Sequence, residues 1–246
     1  MKKILLLLGI LAFLVGCGDN KKIDEFMGIA EGYINNEDYE NAVLTYNKIL
    51  DIKELPDVRQ KIKEANAANL NKQLDIVKQY RSEGSLEEAI ALLNKVLNTY
   101  EDADVRKILA EINTEREHVS SAKKFHENLE RIVRYYLQDS NYISPAKMSE
   151  ANEILRESIT LIESVSTTTD TPIDSYIKNI KEDNDYGIIQ RFSDSTFTDN
   201  ANISETLSYF SEDMYSLNEK SGTFFLLYVG DAVKKLSDKN LPRIYK

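Results

Sequence analysis

Apolar positions recur along most of this chain at intervals of three and four, the spacing of helices that bury one face. From Ile23 to Asn35 the residues Phe26, Ile29, Ala30 and Tyr33 share a face, and Asn36-Glu37-Asp38 interrupts it. Between Tyr39 and Ile52 the residues Ala42, Val43, Tyr46, Ile49 and Leu50 resume it, until Pro56 stops the run. A second pair follows. Val58, Ile62, Ala65, Leu70, Leu74, Val77 and Tyr80 form a long stripe closed by Gly84, whose backbone freedom suits a helix terminus. Leu86, Ala89, Ile90, Leu93, Val96 and Leu97 form the return helix. Each pair is expected to be a short antiparallel hairpin.

No proline or glycine interrupts residues 102–137, where Val105, Ile108, Ile112, Val119, Ala122, Leu129, Val133 and Tyr136 step by threes, fours and sevens, with Glu115 and His126 interrupting the seam. A period near 3.5 predicts one long helix packed along its length against a neighbour. Helices in residues 145–237 are the expected partner, although the same seam would also suit a homodimer. Pro145 opens the next helix, with Met148, Ala151, Ile154, Leu155, Ile159, Leu161 and Ile162 as its apolar set. A Ser/Thr-rich stretch from Ser164 to Thr171 ends it, and Ile173, Tyr176, Ile177 and Ile180 begin another after Pro172. The polar segment Ser193 to Asn202 then precedes Leu207, Tyr209, Phe210, Met214 and Leu217, and a last helix is expected over Thr223 to Leu236. Its run Phe224 to Val229 is apolar on every side and should be buried.

The first residues differ from all of this. Met1-Lys2-Lys3 is basic, Ile4 to Val15 is an apolar run of twelve, and Gly16 precedes the chain's one cysteine, Cys17. Such a run is shorter than the roughly 18 to 20 residues of a spanning helix, and its flanks fit a signal peptide. The tetrapeptide Leu14-Val15-Gly16-Cys17 resembles the lipobox of bacterial lipoproteins. That resemblance implies cleavage before Cys17, a diacylglyceryl group on its thiol and acyl chains such as palmitate holding the mature protein on a membrane. Two or more chains give stable anchoring where one would not, each buried methylene adding about 0.8 kcal/mol.

Both helix pairs resemble tetratricopeptide repeats. Phe26, Ala30 and Tyr33 match the first-helix positions of that family, and Ala42, Tyr46 and Ile49 the second-helix positions. In the second pair Val77, Tyr80, Gly84, Ala89, Leu93 and Val96 fall at corresponding offsets, while Gln73 replaces the first bulky residue. Ala42 and Ala89 lie 47 residues apart, against a family period of about 34. Either the first helix of the second pair is several turns longer, or the repeat is irregular.

The expected organisation is a signal peptide at 1–16, a lipidated polar tether at 17–23, a tetratricopeptide-like helical region at 24–137 ending in the long helix, and a C-terminal helical region at 138–246. The fold class is all-α, with helical hairpins stacked as an irregular repeat array followed by a C-terminal helical bundle. Nine glycines and four prolines in 246 residues are few, which favours long helices over a turn-rich sheet protein.

Charge narrows the partners. Losing residues 1–16 removes two lysines and no acid, so 29 basic side chains face 41 acidic ones, a balance of −12. Nucleic acid binding needs a basic surface and is not expected. Acidity would also repel an anionic leaflet, so the lipid on Cys17 must supply the membrane affinity.

Candidate chemistry is sparse. The two histidines, His118 and His126, are eight residues apart on the long helix, which separates them by about 12 Å along its axis and roughly 80° around it. They cannot share a metal directly. Glu115 and His118 form a single Glu-x-x-His step where a di-iron bundle uses two, and the expectation is an exposed His118 and a seam-facing, hydrogen-bonded His126. Asp183, Asp185, Gly187 and Asp194 share some spacing with a calcium loop, but Gly187 and Ile188 stand where an oxygen ligand and the turn glycine belong. A solvated acidic turn is expected there. No phosphate loop, nucleophile elbow, zinc helix or dinucleotide fingerprint occurs, so no catalytic residue, metal or cofactor is expected. Fourteen tyrosines are unusual; Tyr33, Tyr39, Tyr46 and Tyr80 fall at or near repeat positions, and the others suit a binding face.

These features point to a non-catalytic lipoprotein, anchored at the extracytoplasmic side of a bacterial cell membrane, that acts as an interaction or assembly module for a protein or peptide partner in the envelope. The alternative is a ligand-capturing or envelope-stress lipoprotein with an apolar pocket in its C-terminal helices.

Overall fold

Helix ends in this chain are set by short polar residues that cap them and by turns that no helix can continue through. The computed structural model describes residues 2–137, 145–168, 170–194 and 229–245, and among them there are helices and no strands. In order these are α1 (Lys2–Asn35), α2 (Tyr39–Ile52), α3 (Pro56–Ser82), α4 (Leu86–Thr99), α5 (Ala103–Tyr136), α6 (Pro145–Glu163), α7 (Pro172–Lys181), α8 (Asn184–Asp194) and α9 (Gly230–Ser237), with a 3₁₀ turn at Arg243–Tyr245. The fold class is all-α. The apolar positions from Leu207 to Leu217 and the run 224–228 of the last expected helix lie outside the described residues, as does the polar segment from 195 onward.

Two compact units divide the chain: residues 1–81 with 87–105, and residues 82–86 with 106–246. The division falls inside α5, between Val105 and Arg106. Residues 17–23, expected as a tether, are helical within α1, and Ile23 is already part of the core.

In the first unit α1 packs along α2. Their buried seam is Ile23, Ala30, Ala42, Tyr46 and Ile49, joined by Val58 from the start of α3. Ile29, expected on that face, is exposed. The α1–α2 turn closes with the Asp38 amide donating to the Tyr33 carbonyl and the Glu37 amide to that of Ile34, at 2.9 and 3.0 Å. This six-to-one and five-to-two pair requires a left-handed residue, and Glu37 fills the position at φ 56°. Asp38 then caps α2 by accepting from the Asn41 amide. The α3–α4 turn places Gly84 at φ +76°, 47 residues after Glu37. Ala42, Tyr46 and Ile49 are the fourth, eighth and eleventh residues of α2; Ala89, Leu93 and Val96 hold the same places in α4, and all six are buried. The length that separates the pairs lies in α3, which has 27 residues.

The second unit is built on α5. Ile112, Val119, Ala122, Phe125, Leu129 and Ile132 are buried along it. Around them lie Met148, Ala151, Leu155 and Ile162 of α6, Ile173, Ile177 and Ile180 of α7, Tyr186, Ile189 and Phe192 of α8, and Ala232, Val233 and Leu236 of α9. The single helix expected after Pro172 is two helices, because α7 ends at Lys181 with Glu182 as its cap and the Asp183 carboxylate accepts from the Asp185 amide at 2.8 Å to start α8. The C-terminal residues return to the turn before α4: a Cβ on Gly84 would stand 1.6 Å from the carbonyl oxygen of Ile244.

Candidate functional site

The first unit carries a groove of about 360 Å³ walled by α2, α3 and α4. One wall is the exposed edge of α2, with Glu40, Val43 and Leu44; Leu44 is 59 % exposed, among the most exposed large apolar side chains described. The floor is α3, whose Asn66, Asn69 and Gln73 fall at i, i+3 and i+7 and therefore share one face. The third side is the end of α4, with Lys95, Val96 and Thr99, and Tyr100 just beyond it.

Hydrogen bonds fix the floor. Asn69 Nδ2 donates to the Tyr100 hydroxyl at 3.2 Å, and that hydroxyl donates to Asn66 Oδ1 at 3.4 Å. Asn69 lies in the buried seam of α3 between Ala65 and Val77, while Leu70, which the apolar stripe singles out, is half-buried. A buried amide is tolerated when it is bonded, and Tyr100 supplies that partner. Glu40 and Lys95 form no ion pair among the described residues, so opposite charges stand open on opposite walls.

A second depression of about 480 Å³, lined by Glu31, Ile34, Tyr39, Lys61 and Glu64, lies between α1 and α3. Here Lys61 bonds Glu31 at 3.2 Å, which raises the lysine above its ordinary range. Burial pushes the neighbouring Tyr46 hydroxyl up as well. Charges of opposite sign pair with each other in this depression, whereas among the described residues Glu40 and Lys95 of the α2–α3–α4 groove do not.

Several titratable groups of the second unit are engaged with partners in the fold. His118 is buried, not exposed as its sequence position suggests, because its Nδ1 meets Asp174 Oδ1 at 2.5 Å. Thr171 holds that aspartate in place by capping the start of α7, accepting from the Asp174 amide at 3.2 Å. Glu115 is buried too and accepts a hydrogen bond from the Tyr245 hydroxyl. The Glu-x-x-His step is thus split between two different partners. His126 sits in the seam as expected, hydrogen-bonded to the Tyr176 hydroxyl and edge-on to Phe125. Burial lowers its pKa from the ordinary 6.5, against smaller opposing effects of Glu130 and the Ser237 backbone.

The acidic turn is ion-paired where solvation was expected. Lys239 lies 2.7 Å from Asp183 and Lys235 3.9 Å from Asp185. The Lys239 hydrogen bond lowers the Asp183 carboxyl, while burial raises that of Asp185. Among the described residues no cluster of three His, Cys, Asp or Glu side chains is arranged to hold a metal ion. Cys17 falls within α1, and its side chain lies outside the described residues. Among the described residues no helix is long and apolar enough to cross a membrane.

Sequence periodicity missed the Asn66–Tyr100–Asn69 arrangement. The available signal was the run of amides at 66, 69 and 73, which interrupts an otherwise apolar helix face. No model of a known family matches this chain, and no characterised protein or solved structure does.

Proposed function

We propose that this chain is a lipoprotein that holds a protein or peptide partner at the extracytoplasmic side of a bacterial membrane and catalyses no reaction. The observation that carries the reading is the open α2–α3–α4 groove: a solvent-exposed leucine, a row of amides and two charges that form no ion pair among the described residues surround a space those residues leave open. A concave space lined by apolar side chains with a few convergent polar groups is the usual form of a binding site. The shared buried positions of α2 and α4 and a left-handed residue in each hairpin turn support a repeat-like construction, of the kind that presents elongated surfaces. In the second unit the acids and histidines named above are committed to structural partners, which leaves them poorly placed for catalysis.

Membrane attachment is assigned to Cys17 on its leader. The test is a Cys17→Ala variant expressed in bacterial cells. It should lose incorporation of an alkynyl palmitate analogue and leave the membrane fraction; retained labelling would remove the anchoring assignment. Photocrosslinking from position 44 of the anchored protein, followed by mass spectrometry, should recover discrete protein adducts from intact envelopes. Recovery of none with the membrane preserved would overturn the interaction reading.

A further inference from the structure

We infer that His126 is a proton-operated joint between α5 and α7: neutral, it holds the middle of α7 at Tyr176, and protonated it lets go of Tyr176 while the attachment at Asp174 persists.

The ten residues of α7 are tied to α5 by two histidine contacts, His118 with Asp174 and His126 with Tyr176. The two respond differently to a proton because their partners differ. Burial pushes the Tyr176 hydroxyl well above its ordinary value, so it keeps its proton and donates it to Nε2 of a neutral His126. The ring's one N–H is then left for the backbone of Ser237 at the end of α9, which acts on the imidazole as an acceptor does. A proton on Nε2 sets donor against donor, and among the described residues the Tyr176 hydroxyl has no second hydrogen-bond partner. Asp174, by contrast, accepts from either form of His118, and a charged ring only adds an ion pair to that bond. Ser237 likewise accepts from both forms of His126. Acid therefore breaks one bond of the set, at position 176.

The charge that acts on His126 is Glu130, one turn further along α5, and it opposes a larger effect of burial. The lysines of α7 have acidic neighbours of their own, Lys178 at 4.0 Å from Glu182 and Lys181 at 3.7 Å from Glu163. On α9, Lys235 lies 2.6 Å from Asp231. The start of α7 stays pinned by His118 and by the Thr171 cap. What comes free is its second half, where Ile177 and Ile180 are buried. The second unit thus holds an apolar helix face whose exposure is set by one imidazole.

Hydrogen exchange of the full chain tests this, read by mass spectrometry between about pH 7.5 and about pH 5 and corrected for the intrinsic pH dependence of exchange. Residues 175–181 should lose protection by up to about tenfold per pH unit below about pH 6.5, the ordinary value of an exposed imidazole. Residues 106–125 and 230–237 should keep theirs, with helicity by circular dichroism unchanged over the same range. His126→Gln, whose amide oxygen can accept from Tyr176 at every pH, should hold residues 175–181 closed throughout. Tyr176→Phe removes the donor, so that segment should be open already at pH 7.5 and change less on acidification. Protection of 175–181 that does not vary with pH, loss in step with 106–125, or a wild-type profile in His126→Gln would each overturn the inference. If His126→Gln does not fold, Tyr176→Phe decides: an acid response equal to that of the wild type would overturn it as well.

Discussion

The carbonyl oxygen of Ile244 occupies the space in which a side chain at Gly84 would begin, 1.6 Å from where the Cβ would stand. Gly84 also has φ +76°, a conformation that costs other residues about 1–2 kcal/mol. Gly84→Ala should therefore act twice, through its own backbone and by displacing the C-terminal segment. Loss of the Tyr245–Glu115 hydrogen bond should follow, since Tyr245 is the next residue. The expected total exceeds 2 kcal/mol, and thermal unfolding followed by circular dichroism should show a fall of several degrees. In a chain ending at residue 240 the same substitution should cost only the backbone share. An equal cost in both chains would mean that Ile244 does not press on Gly84.

Asp174 and His118 form a buried pair on α7 and α5, and removing one member strands the other. Asp174→Ala should destabilise the second unit by about 2–3 kcal/mol, because it leaves a buried imidazole without its hydrogen-bond partner. Thr171→Ala should cost about 1 kcal/mol by the loss of its cap. Urea titration of the two variants should rank them in that order. The ranking fails if Asp174→Ala unfolds at the wild-type midpoint.

Proline, glycine and short polar caps made the helices legible. Pro56, Gly84, Pro145 and Pro172 each mark an element boundary that the structure retains, because their backbone constraints act locally whatever the rest of the chain does. The faces of the helices were less legible. On α3 the apolar Leu70 stands next to Asn69, and adjacent helical residues point about 100° apart. Asn69 takes the buried position because Tyr100, 31 residues later, satisfies its amide. The sequence around His118 suits an exposed position, and the structure buries it because its partner Asp174 lies 56 residues away. Local patterns report what a residue prefers, and these two positions are decided by distant hydrogen-bond partners.

Acid should weaken the second unit through His126. Its surroundings are Phe125 and Glu130 on its own helix, the Tyr176 hydroxyl from α7 and the backbone of Ser237 at the end of α9. Burial dominates and lowers its pKa from 6.5, so the unfolded chain binds a proton at higher pH than the folded one. The stability associated with a neutral His126 is then fully present above about pH 6.5 and declines as pH falls through the lowered folded value. His126→Gln, which cannot titrate, should flatten that part of the stability profile and leave the remaining acid slope, which belongs to carboxylates such as Asp183. Calorimetric melting at closely spaced pH values from about 7 to 4 checks this. Parallel profiles for both proteins would exclude His126 as the origin.

Glu37 holds the same place in its turn as Gly84 does in the next, yet it is a side-chain-bearing residue at φ 56°. Its carboxylate pairs with Lys72 at 3.0 Å, and both groups are largely exposed, so that pair contributes at most about 1 kcal/mol. The Lys72 ammonium also donates to the Glu37 carbonyl at 3.3 Å, a contact that any residue at position 37 would keep. Glu37→Gly removes the left-handed strain and the exposed ion pair while adding chain entropy to the unfolded state. The strain is the largest of the three, and the variant should be more stable by about 0.5 kcal/mol at high salt, where the lost ion pair is screened. Glu37→Ala keeps the strain and loses the pair, so it should be no more stable than the wild type at any salt concentration. Denaturant titrations of both variants at low and high salt check this, and a Glu37→Gly chain less stable than Glu37→Ala at high salt would show that backbone conformation does not limit the α1–α2 turn.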